Sequence, residues 1–236
     1  GGLQALVKGG FDVAGKRIVV AGSGPLLIAV AQHLKQKGAM VAAIVEQAPA
    51  AKLNRLALSL LASPAKLIQA ARLKAALFGV PYYTGSWITA ASSNGGPLDV
   101  AISSGDSKTR SIECDYVACG YHLIPNIELA GLLGCRIDGG FVAVDDLQQT
   151  SHSDIYCTGE PTGIGGLDAS LIEGRIAGYA AAGQTETARS LFAKRDKTRR
   201  FTSALNQAFA LRDDLKTLAD ESTIVCRCED VQYRQL

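Results

Sequence analysis

The chain has 236 residues, 47% of them hydrophobic and 19% charged, with a formal net charge of +2. That length allows one large domain or two small ones around a sizeable core. The balanced charge excludes a strong field for nucleic acid or membrane surfaces, and no run approaches the roughly 18 uninterrupted apolar residues of a membrane span.

Residues 1–15 read as a connector without a secretory signal pattern. A strand–turn–helix cassette follows. The β-branched run Arg17–Ala21 feeds the turn Gly22-Ser23-Gly24-Pro25, and an apolar-periodic helix runs from Leu26 to about Lys37. A second strand, Val41–Glu46, ends on an acid with Gln47 beside it. This is the βαβ unit that holds the adenine half of a dinucleotide. Gly22 permits the sharp turn, and Gly24 lets a pyrophosphate approach the backbone. The helix N-terminus offers unpaired N–H groups and about half a unit of positive charge. Glu46 lies 24 positions after Gly22, close to the spacing of an acid that bonds the adenosine ribose. Its charge would repel a 2′-phosphate and so favours NAD over NADP. Leu27 stands where the third glycine of the fingerprint belongs. That leaves open whether NAD, or only an adenosine phosphate such as ATP or AMP, is recognised.

Residues 51–78 are predicted helical, with a break at Pro64. Val80–Tyr83 reads as a third parallel strand. The period then changes: 86–91, 98–103 and 109–113 read as short antiparallel strands. Asn94-Gly95-Gly96 and Ser104-Gly105-Asp106 would supply turns that accept positive φ. Cys114–Cys119 is a further apolar strand ending in Gly120. Beyond it, Asp154–Thr158 is predicted as a strand with Gly159-Glu160 at its carboxyl edge, where ligands sit in open α/β sheets. A helix is expected from Gly166 to Ala182. Glu160 has a plainer alternative as that helix's cap. Residues 184–220 are expected to be helical, with Phe192, Phe201, Leu205, Phe209, Leu211, Leu215 and Leu218 on one face. The basic run Lys194–Arg200 reads as a solvated helix end, with no interleaved aromatics for nucleic-acid stacking.

Cys114, Cys119, Cys135 and Cys157 read as small buried thiols of a reducing compartment, which places the protein in the cytoplasm. His33 reads as a surface residue, and Trp87 and Tyr83 as core. No nucleophile elbow, zinc spacing or paired carboxylates occur. No catalytic residue is therefore assigned, and bound cofactors are expected to carry the chemistry.

Three stretches, Val20–Leu27, Cys119–Cys135 and Thr150–Gly178, resemble the pyridine nucleotide-disulfide oxidoreductase-like FAD/NAD(P)-binding flavoproteins. Within them the chain is most similar to the α-type subunits of bacterial amino-acid dehydrogenases, of the opine oxidase, hydrogen cyanide synthase and dye-linked proline or hydroxyproline dehydrogenase kinds. The resemblance implies an α/β fold. A Rossmann-like domain over 16–124, with a parallel sheet and a small antiparallel meander, would precede the second half of an FAD domain over 125–185. Bridging helices would span 186–222. Gly22, Ser23, Gly24, Pro25, Leu26, Glu46, Gln47 and Gly120 are the candidate nucleotide site. Gly159, Glu160 and Gly166 are the candidate FAD residues.

Thr223–Val231 resembles the opening of a 2Fe-2S domain over 223–236, with Cys226 and Cys228 as two of four cluster ligands. Only one glycine cassette is present, so the sequence is expected to be a piece of a longer subunit that alone binds FAD weakly and forms no stable cluster. The resemblance implies electron transfer in the oxidation of an amino acid, opine or imino acid, with a β subunit that carries the substrate-oxidising flavin. Two alternatives stay open: a self-contained NAD(P)H-dependent reductase, and a module whose nucleotide is structural.

Overall fold

The computed structural model describes residues 2–60, 68, 72, 74–105, 108–226 and 228–236, and these form two compact units. The first comprises residues 1–122 and 209–236, the second residues 123–208.

In the first unit, α1 (Gly2–Lys8) precedes β1 (Arg17–Gly22), α2 (Leu26–Gln36), β2 (Met40–Glu46) and α3 (Ala50–Leu60). Then come β3 (Tyr82–Thr84), β4 (Ser86–Ser92), β5 (Leu98–Ser104), β6 (Thr109–Cys114) and β7 (Tyr116–Gly120). A parallel sheet has the order β3-β2-β1-β7, and β4-β5-β6 is an antiparallel meander. This is the α/β class expected from the sequence.

The period-2 alternation of β1 explains how the layers stack. Ile18 and Val20 face Val7, Leu27, Ala31, Leu34 and Leu77. Val19 and Ala21 face Val100, Ile102 and Cys114 of the meander. With both faces covered, β1 must be apolar throughout, as central parallel strands are. Helix α2 buries Leu27, Ala31 and Leu34, one stripe at helical spacing. It stops at Gly38, where Gly38 N donates to Lys35 O and Ala39 N to Leu34 O, both at 3.1 Å. That is a Schellman closure.

In the second unit the helix Gly166–Ala181 packs with the helices Thr185–Arg189 and Phe192–Ala208. Their core is Ile172, Ile176 and Ala188. A short helix (Glu128–Leu132) and a hairpin (Ile137–Asp138 with Phe141–Val142) come before them.

Several sequence expectations are corrected. The third parallel strand begins at Tyr82 rather than Val80, because Pro81 has no N–H for the ladder. Residues 154–158 form no strand: among the described residues Tyr156 makes only an isolated antiparallel bridge to Gln149, closed by Thr150 N to Ile155 O and Cys157 N to Gln148 O, and the ladder goes no further. The predicted helix over 184–220 is three helices (the third is Asp213–Lys216), interrupted at 209–212. Phe209 and Leu211 therefore share no helical face with Phe192. Of the predicted turn glycines Gly95 takes positive φ, while Gly96 and Gly105 do not.

Cys119 is exposed, because β7 is a sheet edge. His33 is half-buried. Trp87 and Tyr83 are half-buried: Tyr83 packs against the core between β1 and the meander, as expected, and the two rings carry the guanidinium groups of Arg212 and Arg110. The break proposed at Pro64, and Asp106, lie outside the described residues. Among the described residues no helix is long and apolar enough to cross a membrane.

Candidate functional site

At the carboxyl edge of the parallel sheet, β1, β2 and β7 end together on Gly22, Glu46 and Gly120. Gly22 (φ 148°) and Gly24 (φ 99°) hold the turn in backbone regions that L side chains rarely adopt. Ser23 N donates to Gly120 O at 3.0 Å, and Gln47 N to Gly22 O at 3.0 Å, which bolts the turn to both neighbours. Helix α2 starts behind Pro25 with no side-chain cap. The predicted residues Gly22, Ser23, Gly24, Pro25, Leu26, Glu46, Gln47 and Gly120 are thus brought to one edge. Leu27 does not project into the turn. It is buried, and its Cδ2 lies 3.9 Å from where a Cβ on Gly120 would be. The bulk at the third fingerprint position is accommodated because Leu27 packs into the core with Ile18, Val20 and Ala31.

Glu46 is fully buried. Its Oε2 accepts from Gly24 N and its Oε1 from Ala48 N, both at 2.8 Å. Burial pushes its carboxyl above the usual range, against the opposing pull of the Ala48 and Gly24 N–H groups and Ser23. Beside it Tyr121 is also raised by burial, and its hydroxyl accepts from Ile88 N at 3.3 Å.

The polar side chains of the turn have partners that sequence reasoning missed. Ser23 Oγ donates to Phe209 O at 2.9 Å. Gln47 Nε2 donates to Ser23 Oγ at 2.8 Å and to Ala210 O at 3.1 Å, and Gln47 Oε1 accepts from Arg212 N at 3.1 Å.

In the second unit, Gly159 (φ 78°) is followed by a 3-10 turn, Glu160–Thr162, and then by Gly166 (φ 72°) opening the long helix. Glu160 does not cap that helix: Gly165 is its N-cap, without a side-chain bond. The exposed Glu160 carboxylate and the uncapped helix start lie on one glycine-rich turn. The residue that fixes this turn is Glu173, also missed from sequence. Its buried carboxylate accepts from Gly159 N at 3.2 Å and pairs with Arg199 at 3.1 Å.

Cys226 Sγ and Cys228 Sγ lie 2.9 Å apart. The Cys228 thiol and the N–H groups of Glu229 and Cys228 hold the Cys226 thiol below its usual range. Among the described residues no set of three or more His, Cys, Asp or Glu is arranged to hold a metal ion.

The pyridine nucleotide-disulphide oxidoreductase family model matches residues 3–185. Hydrogen cyanide synthase subunit HcnB of Pseudomonas aeruginosa is 29% identical over 254 residues, covering 98% of this chain and 55% of that protein. An opine oxidase subunit of Agrobacterium tumefaciens is 26% identical, covering 100% of this chain and 50% of that protein. The chain thus spans about half the length of the curated relatives it matches. Among solved structures, LpdA of Mycobacterium tuberculosis shares the fold. Its TM-score is 0.51 at 22% identity, over 74% of this chain and 36% of that one.

Proposed function

Because the chain belongs to the pyridine nucleotide-disulphide oxidoreductase family, we propose that it works within an FAD-dependent oxidoreductase subunit passing electrons in the dehydrogenation of an amino acid, opine or imino acid. The observation that carries this reading is the pair of glycine turns, each opening a helix without a side-chain cap. Such helix starts suit the phosphates of nucleotide cofactors. Gly22, Ser23, Gly24, Pro25, Leu26, Glu46, Gln47 and Gly120 would hold NAD or another adenine nucleotide. Gly159, Glu160 and Gly166 would contribute to the FAD site, with Glu173 as the residue that positions Gly159. Bound flavin supplies the two-electron acceptor.

Cys226 and Cys228, two positions apart in the chain, would give two of the four thiolates of a 2Fe-2S cluster. Both relatives are named as subunits, of a synthase in one case and of an oxidase in the other, which supports a partner. In this reading that partner is a β subunit bearing the substrate-oxidising flavin, and the assembly is cytoplasmic. The segments 1–15, 16–124, 125–185, 186–222 and 223–236 serve as connector, nucleotide domain, flavin half-domain, bridge and cluster domain.

The test is dye reduction by the protein reconstituted with a candidate β subunit, offered amino-acid and opine donors. Turnover that requires both subunits and a donor is the expected result. NADH-driven dye reduction without any partner would instead establish a self-contained reductase.

A further inference from the structure

We propose that Phe209–Arg212 is a strap closing the Gly22–Gly24 turn, so that the docked strap and a bound adenine nucleotide exclude one another. This rests on reading that turn as a nucleotide site. The strap is where the predicted long helix is interrupted. Three of its backbone groups hydrogen-bond to Ser23 of the turn and to Gln47 beside it. Phe209 O accepts from Ser23 Oγ, Ala210 O from Gln47 Nε2, and Arg212 N donates to Gln47 Oε1. Phe209 Cγ lies 3.9 Å from where a Cβ on Gly24 would project, so its ring sits over the glycine whose bareness would admit a pyrophosphate. The Arg212 guanidinium stacks on Trp87 at 4.3 Å and pairs with Asp214 at 2.7 Å.

The docked state is built to be left. Arg212 Nε is buried without a hydrogen-bond partner among the described residues, a standing cost that release would remove. Phe209 is only half-buried and Ala210 is exposed. A site open for only a fraction of the time binds with its affinity reduced by that fraction, so releasing the strap raises apparent affinity. By linkage, nucleotide must equally favour the released strap.

Trp87 is the single tryptophan of the chain, so its emission reports strap docking directly. ADP and NAD would be titrated into the full chain and into F209A/R212A, by calorimetry and by Trp87 emission. Arg212→Ala alone serves as a second variant, because it removes the Trp87 stack of the strap without touching the turn, and its affinity is expected to lie between those of the other two proteins. At least tenfold tighter ADP binding by F209A/R212A supports the proposal, if nucleotide also moves wild-type emission toward that of the variant. Equal affinities with Trp87 emission unmoved by nucleotide overturn the strap and leave the nucleotide site standing. No binding of either nucleotide to any of the three proteins overturns both.

Discussion

Gly22 and Gly120 meet so closely that a Cβ on Gly22 would overlap the Gly120 carbonyl group. The contact is backbone, which cannot swing aside, and Gly22 also holds φ at 148°. Gly22→Ala should therefore cost at least about 3 kcal/mol of unfolding free energy, among the larger single-site effects. Gly120→Ala meets only Leu27 Cδ2 at 3.9 Å, an ordinary contact, and should cost less than about 1 kcal/mol. Urea denaturation of both variants checks the pair; similar losses would contradict this account.

Leu27→Gly would restore the missing glycine of the fingerprint. It would also remove a buried leucine from the first-unit core and place glycine in a helix. A destabilisation of about 3–5 kcal/mol is expected. No gain in nucleotide affinity should follow, because Leu27 packs toward Gly120 rather than into the turn. Thermal unfolding and ADP titration of the variant measure both halves.

Glu46 carries a pH dependence whose sign follows from its burial. Its folded carboxyl titrates above the ordinary 4.5, so the folded state binds the proton more tightly than the unfolded state. Stability then falls as pH rises from about 4.5 through the higher folded value, and flattens beyond it. Glu46→Gln should lose that component of the slope, although it weakens the fold by pairing an amide N–H against a backbone N–H. Urea midpoints of both proteins between pH 4 and 7 would show it. Parallel pH profiles would be the contrary result.

The Glu173–Arg199 pair is unequal: the Glu173 side chain is 7% exposed and that of Arg199 is 42% exposed. Arg199→Met strands a buried carboxylate and should cost about 2–3 kcal/mol, less than a fully buried pair because Arg199 is already partly solvated. Glu173→Gln leaves an oxygen for Gly159 N and a cation that water can reach, so about 1 kcal/mol is expected. Chemical denaturation ranks the two, and the reverse order would refute the argument.

The sequence already carried the cassette from β1 to β2, because glycine spacing and the switch from period 2 to period 3.6 are local signals. The meander was legible for the same reason. What stayed hidden depends on distant partners. Glu173 and Arg199 are ordinary polar residues until two helices bring them together across 26 positions. The strap was unreadable because its apolar residues continue a helical pattern. What breaks the helix is Ser23 and Gln47, more than 160 positions away. The strand expected over 154–158 failed for a related reason: its apolar run carried the right pattern, but among the described residues only Gln149 pairs with it.

Strand β1 has one neighbour close in sequence and one far away. Its second partner comes only after the whole meander: Arg17 N donates to the Asp115 carboxylate across 98 positions. A loop that long is entropically slow to close, while the hairpins of the meander are local. The meander should thus assemble first and deliver β7 to β1. At ribosomal rates of about 5–20 residues per second, β1 waits roughly 5–20 seconds after its own synthesis for that partner. Throughout that interval the strand that will become the centre of the sheet is an edge, open to pairing with other chains.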